Sequence, residues 1–172
     1  MSVHFQTPFY SNCFRHWPFS CCAARSVNGC VLGKYGIMKI QRMVIDDYPY
    51  VKDLWRECEL SEEPEDQKDE VEALLQSSQA SGFIAQNNGI IIGAVLCGSD
   101  GRYGYIHHLA VSKAHRRKGI GRSLVEVCIR YLQRRHVVIM VREKNENGTE
   151  FWNHLQFQNA DWIKVQFIKT GH

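Results

Sequence analysis

The chain has 172 residues, 44% hydrophobic and 23% charged, proportions that suit one globular domain with a core of its own and exclude a charge-rich disordered chain. No apolar run reaches the roughly 20 residues needed to span a membrane as a helix. The formal net charge of +3 comes from Arg15, Arg25 and Lys34 in residues 1–37, which hold no Asp or Glu; 21 Lys and Arg less these three leaves 18, equal to the 18 Asp and Glu, so the balance gives no support to nucleic-acid binding.

Residues 1–37 show neither helical nor strand periodicity. They also lack the basic start and continuous apolar core of a secretory signal. Cys13, Cys21, Cys22 and Cys30 lie here with His4 and His16. No paired CxxC spacing joins them, so no metal site is expected. The expectation is a disordered extension, or upstream sequence translated ahead of Met38, with the domain proper at 38–172. The remaining cysteines, Cys58, Cys97 and Cys128, sit in apolar or helical patterns and read as small hydrophobes. An odd number without framework spacing points to a reducing cytoplasm.

From Met38 the pattern is regular. Lys39 to Val44 alternates as a strand. Asp46 or Asp47 can cap a helix with Val51, Leu54, Trp55 and Cys58 on one side. An acidic stretch follows from Glu57 to Glu72, broken by Pro64, and its second half carries Val71, Leu74 and Leu75 at helical spacing. Gly82 to Gln86 and Ile90 to Cys97 read as strands joined by the hairpin signal Asn87-Asn88-Gly89. Gly98 to Gly101 makes another turn, and Tyr103 to Val111 a third strand. Gly119 to Arg135 is the clearest helix, with Ile120, Leu124, Val127, Cys128, Tyr131 and Leu132 on one stripe. Val137 to Val141 reads as a buried strand and Asn147 to Leu155 as a short helix. Two closing strands are expected near Phe157 and at Ile163 to Ile168.

The informative segment is a strand end, Leu109-Ala110-Val111, followed by Arg116-Arg117-Lys118-Gly119-Ile120-Gly121-Arg122-Ser123. Glycines after a strand let the backbone turn tightly and approach a ligand. The helix behind them aims unpaired N–H groups and the positive end of its dipole at the turn. A pyrophosphate suits that place, and Arg116, Arg117, Lys118 and Arg122 add positive charge. A solvated basic loop entering a helix remains the alternative. No Gly-Lys-Ser/Thr closes a Walker loop, and no ribose-binding acid follows as a dinucleotide fingerprint requires.

This R-x-x-G-x-G motif, preceded by a strand ending Leu-Ala-Val, resembles motif A of the GNAT acetyltransferases. The resemblance runs from about Met38 to Ile168 in element order, and continues into Asn145 and Phe151-Trp152, which are similar to the family's Asn-x-x-x-x-x-Phe-Tyr segment. It implies an α/β fold, a mixed and mostly antiparallel sheet flanked by helices and opened between Val111 and Val137 to admit acetyl-CoA as co-substrate. It implies that backbone at Leu109, Ala110 and Val111 pairs with the pantetheine arm, and that Arg116 to Ser123, with Asn145, surrounds the rest of the cofactor.

Acetyl transfer to an amine needs a base, donors for the oxyanion and a proton for the leaving thiolate. The family's usual tyrosine is Trp152 here, whose indole is no proton shuttle, and a frequent glutamate position is Met140. His107-His108-Leu109-Ala110-Val111 is similar to the arylalkylamine acetyltransferases, which implies His107 as the base, with His108 and a bound water as alternatives. Strand alternation puts the two histidines on opposite faces. The glycine usual before Phe157 is replaced by Gln156.

The expected reaction is acetylation of a primary amine on a small molecule, with no nucleic acid or membrane partner. The acidic link of Glu57, Glu59, Glu62, Glu63, Glu65 and Asp66 favours a cationic acceptor, its alternative being a solvated loop. A protein N-terminal or lysine acetyltransferase and a non-catalytic acyl-CoA-binding module remain open, as does a homodimer.

Overall fold

A computed structural model describes residues 29–33, 36–60, 63–141 and 145–158. Its six strands lie in sequence order across one sheet: β1 Gly29–Gly33, β2 Gly36–Arg42, β3 Ala80–Asn87, β4 Ile90–Ser99, β5 Gly104–Val111 and β6 Val137–Ile139. All neighbours are antiparallel except β5 and β6, which run parallel. The helices are α1 Tyr48–Glu57, α2 Lys68–Gln76, α3 Ile120–Leu132 and α4 Glu146–His154. Among the described residues no helix is long and apolar enough to cross a membrane.

The hairpin between β3 and β4 turns as its sequence demands. Asn88 and Gly89 both take positive φ, 50° and 80°, the dihedral signs of the type I′ turn that matches strand twist. The β4–β5 turn is held by Asp100, whose Oδ1 accepts from the N–H groups of Arg102 and Tyr103 at 2.8 and 2.7 Å.

Two apolar layers cover the sheet. On one face Val51, Leu54 and Trp55 of α1 and Val71 of α2 pack against Ile84, Ala94, Leu96 and Ala110. On the other Ile120, Leu124, Val127, Cys128 and Leu132 of α3 pack against Phe83, Val95, Cys97 and Ile106. The helical stripes read from the sequence are therefore the buried faces.

Several local expectations are corrected. The stretch 1–37, read as irregular, contains β1, which pairs with β2 from Gly29↔Ile40 to Gly33↔Gly36. Ladder bonds are made by backbone, so an edge strand without alternation gives no periodic signal. Residues 1–28 lie outside the description. Asp47 stands at the N-cap of α1 but does not cap it; its Oδ2 accepts from the Val44 N–H at 3.0 Å, closing the turn before the helix. The long helix stops at Leu132 rather than Arg135, because Gln133 turns to a left-handed conformation with φ 48°. The strand expected at Val137 to Val141 pairs only through Ile139 and is half-buried. Phe157 lies in no strand, and residues 163–168 fall outside the described residues.

Candidate active site

The site forms where β5 loses a neighbour. β6 pairs with β5 only at Gly104↔Val137, Tyr105↔Val138 and Ile106↔Ile139. Beyond Ile106 the β5 edge runs on without that partner, while its other edge stays paired to β4 as far as Gly93↔Val111. The opening expected between Val111 and Val137 therefore lies further along, between His107–Val111 and Met140, a residue that is 74% exposed. An edge of this kind presents unpaired N–H and C=O groups to any extended ligand.

The same stretch contains a β-bulge. Leu96 pairs with His107 and Ala94 with Ala110, so His108 and Leu109 together oppose Val95 alone. His108 carries the strain with φ 53°, a region histidine enters more readily than most side chains. The extra residue reverses the alternation. Ile106 packs with the α3 layer, yet after the bulge Leu109 packs there and Ala110 joins the α1 layer. The expectation that His107 and His108 occupy opposite faces is thereby overturned. Their Nδ1 atoms lie 3.1 Å apart, and His108 stands 4.9 Å, centroid to centroid, from the Trp55 ring of α1.

His108 is anchored in turn by a residue read from sequence only as part of an acidic link that favours a cationic acceptor or is merely solvated. Asp66 is buried, and its Oδ1 lies 2.7 Å from His108 Nε2. Burial disfavours a charge on His107, and the nearby His108 adds repulsion; against a smaller opposing pull from Asp66, its pKa falls to about 4. The indole Nε1 of Trp55 is buried without a hydrogen-bond partner among the described residues.

Below the open edge the chain turns into α3. Arg117 and Gly119 both take positive φ, 61° and 81°, and Ile120 begins a right-handed helix. Backbone that changes hand in this way turns successive N–H groups toward one point and makes an anion nest. The first helical bond runs from Ser123 N–H to the Gly119 carbonyl at 3.0 Å, so the amides of Ile120 and Gly121 precede the helical ladder. Arg116, Arg117 and Lys118 are exposed around this turn. Arg116 Nε donates to the Val111 carbonyl at 3.2 Å, Lys118 Nζ to the Ala114 carbonyl at 3.2 Å, and Arg122 pairs with Glu126 at 3.2 Å. Leu109, Ala110, Val111 and the residues from Arg116 to Ser123 are thus brought to one junction.

Other expected residues fall elsewhere. Asn145 is the N-cap of α4, its Oδ1 accepting from Gly148 N–H at 2.9 Å. Trp152 stacks edge-on between Phe151 and Phe157, at 5.1 and 5.0 Å. The acidic link is not a bare rim. Glu57 accepts from the Lys113 N–H at 2.7 Å, Glu59 pairs with Lys113 Nζ at 2.7 Å, and Asp66 is buried against His108; Glu62 lies outside the described residues. Cys58, expected as a plain hydrophobe, donates its thiol to the Val111 carbonyl at 3.3 Å.

A family model described as the Acetyltransferase (GNAT) family matches residues 48–157. An acetyltransferase of Pectobacterium atrosepticum is 30% identical over 131 residues, covering 74% of this chain and 93% of the relative. An uncharacterized N-acetyltransferase of Yersinia pestis shows the same identity and coverage. Among solved structures, the fold is similar to the aminoglycoside acetyltransferase AAC(6')-Iy bound to a CoA bisubstrate analogue, with a TM-score of 0.65 at 18% identity, covering 78% of this chain and 99% of that one. It is also similar to a ribosomal-protein-alanine N-acetyltransferase from Brucella melitensis, with a TM-score of 0.60 at 22% identity, covering 78% and 99%. The chain belongs to the GNAT acetyltransferase family. It is an N-acetyltransferase that uses acetyl-CoA as co-substrate.

Proposed function

We propose that the acceptor is the primary amine of a small molecule, and that the amine attacks the thioester directly while His107 removes its proton. The observation that carries this reading is the juxtaposition of the open β5 edge, the bulge at His108 and the α3 nest. The edge from His107 to Val111 offers amide groups to the two amides of a pantetheine arm. The nest and the first-turn amides of α3 suit a pyrophosphate, with Arg116, Arg117 and Lys118 on its rim. An arm laid along that edge from the nest brings its thioester toward the bulge, where a backbone N–H released from the ladder is a candidate oxyanion donor.

His107 borders the bulge on β5, and the Nε2 of His108 inside it is already engaged by Asp66, which supports His107 as the base. Asn145 fits the cofactor less well, because its carbonyl oxygen already caps α4. Trp152, held between two aromatic rings, supplies no proton. That leaves the thiolate to be protonated by the acid formed at the base or by water.

The small-molecule reading gains support from structural neighbours named as aminoglycoside acetyltransferases. These also keep a cationic acceptor in view, whereas the acidic link, half consumed by internal partners, adds little to it. The Brucella neighbour, named for a ribosomal-protein alanine, favours a protein N-terminus as the second reading. Thiol release from acetyl-CoA should be followed with tyramine, spermidine and kanamycin on one side and an alanine-terminated peptide on the other. A kcat/KM at least tenfold higher for one of the small amines is expected. The opposite ratio would transfer the proposal to protein acetylation, and amine-independent rates throughout would leave an acyl-CoA-binding module.

A further inference from the structure

Asp66 is a buried carboxylate with both oxygens committed. Oδ2 accepts from the Glu63 N–H at 3.0 Å, and Oδ1 meets His108 Nε2 at 2.7 Å. The Tyr48 hydroxyl donates to the Asp66 carbonyl at 2.9 Å and fixes the backbone beneath it. The other ring nitrogen of His108 lies 3.1 Å from Nδ1 of His107. Simple counting of hydrogens then orders the whole chain of contacts. An ionised carboxylate only accepts, so His108 Nε2 carries a hydrogen. In neutral His108 the Nδ1 lone pair must receive a hydrogen, which His107 Nδ1 donates. The lone pair of His107 is left at Nε2.

We propose that Asp66, His108 and His107 form a proton relay in which His107 Nε2 takes the proton of the acceptor amine and His108 stores it against Asp66. The proposal rests on the reading of His107 as the base. As an N–H bond of the protonated amine breaks, its electron pair stays on nitrogen for attack on the acetyl carbon, and a new N–H forms at His107 Nε2. The His107 Nδ1–H then breaks as a His108 Nδ1–H forms. The relay ends with a neutral His107 in the opposite tautomer and an imidazolium at His108 facing a carboxylate. Asp66 touches neither substrate nor cofactor in this scheme. It is a positioning residue that sets both tautomers and stabilises the stored charge.

The relay answers a difficulty in the one-residue mechanism. A lone imidazole with a pKa near 4 is a poor acceptor for an amine proton. Handing the proton on puts the charge beside the one acidic group that reaches the pair among the described residues. The other described elements packed there contribute no charge to His107. From α1 comes the Trp55 ring, and β4 opposes the bulge with Val95 and Leu96.

Two measurements test the relay. The first uses the unaltered full chain with 15N-labelled histidine, read by long-range proton–nitrogen correlation at pH 8.5. His107 is expected as the Nδ1–H tautomer and His108 as the Nε2–H tautomer; either ring in the other form overturns the relay. The second is the pH profile of kcat, with whichever of tyramine, spermidine or kanamycin turns over. Asp66→Asn should lower the plateau about tenfold or more and move the acidic limb to lower pH, because the pair loses the charge that raises its affinity for a proton. The acetyl-CoA KM should not move, and His108→Gln should match Asp66→Asn. A merely structural Asp66 would lower thermal stability and leave the limb where it was, which refutes the relay. His107→Ala separates the two ideas. If it leaves rate and profile unchanged, the base assignment itself fails. If it costs about a hundredfold while Asp66→Asn and His108→Gln keep the parental limb, His107 stands as the base and the relay falls.

Discussion

Gly121 lies against the ring of Phe151 where α3 meets α4: a Cβ at position 121 would sit 3.1 Å from both Cε2 and Cζ of that ring, and 3.7 Å from Cγ2 of Val111. The second glycine of the basic motif thus has a packing reason as well as a place beside the nest. It lets the aromatic side of α4 close onto the first turn of α3. Gly119 has a different reason, its positive φ of 81° with open space around it. Overpacking typically costs about 1–3 kcal/mol. Gly121→Val should therefore lower the melting temperature by several degrees, at about 2–4 °C per kcal/mol for a chain of this size. It should also abolish the stabilisation that acetyl-CoA gives the parent. Pairing Gly121→Ala with Phe151→Leu should restore much of the melting temperature. A Gly121→Val protein that melts with the parent and binds acetyl-CoA as tightly would remove Gly121 from the site.

The end of α4 carries a residue in an unfavourable conformation. The Phe157 N–H reaches the Trp152 carbonyl at 3.0 Å and the Gln156 N–H reaches Asn153 at 2.9 Å, the two bonds of a Schellman cap. Gln156 occupies the left-handed position of that cap, with φ 64°. A side chain there costs about 1–2 kcal/mol, against which glycine loses about 0.5–1 kcal/mol in unfolded-chain entropy. Gln156→Gly should accordingly raise the melting temperature by about 1–4 °C with activity intact. A fall in melting temperature would show that the Gln156 side chain makes a contact outweighing its strain.

His107 also gives the stability a pH dependence of known sign. Its pKa is lowered from 6.5 to about 4 on folding, so between those values the unfolded chain binds the extra proton. Stability therefore rises with pH through that window and is lost as pH falls from 6.5 toward 4, by at most about 1.4 kcal/mol per pH unit for one proton. Melting curves between pH 7.5 and 4.5 should show His107→Gln losing stability less steeply than the parent. Parallel slopes for the two proteins would contradict a buried, neutral His107.

The elements that set the fold were legible because their signals are local. Asn88-Gly89 can hardly avoid a tight hairpin, and the stripe from Ile120 to Leu132 has one way to bury itself. The basic segment from Arg116 to Gly121 was legible for the same reason, since strand, glycines and helix follow one another in the chain. What escaped was set by partners distant in sequence. Asp66 reads as one more acid in an acidic stretch, and only the fold of the α1–α2 segment brings it to His108. The bulge at His108 has no sequence signature in β5; it follows from how β5 pairs with β4, and it moved His108 to the face of His107. Cys58 likewise meets Val111 across 53 positions of chain.

Amide hydrogen exchange with and without acetyl-CoA tests, at residue resolution, the proposed placement of the cofactor along the β5 edge with its pyrophosphate at the start of α3. The amides of Ile120 and Gly121, ahead of the first helical bond of α3, should exchange quickly in the free protein and slow on binding. Saturating acetyl-CoA should slow exchange at Leu109 to Val111 and at Gly119 to Arg122 together, while Asn88 in the far hairpin stays as it was. Protection confined to other segments, with the first turn of α3 unchanged, would contradict this placement of the cofactor.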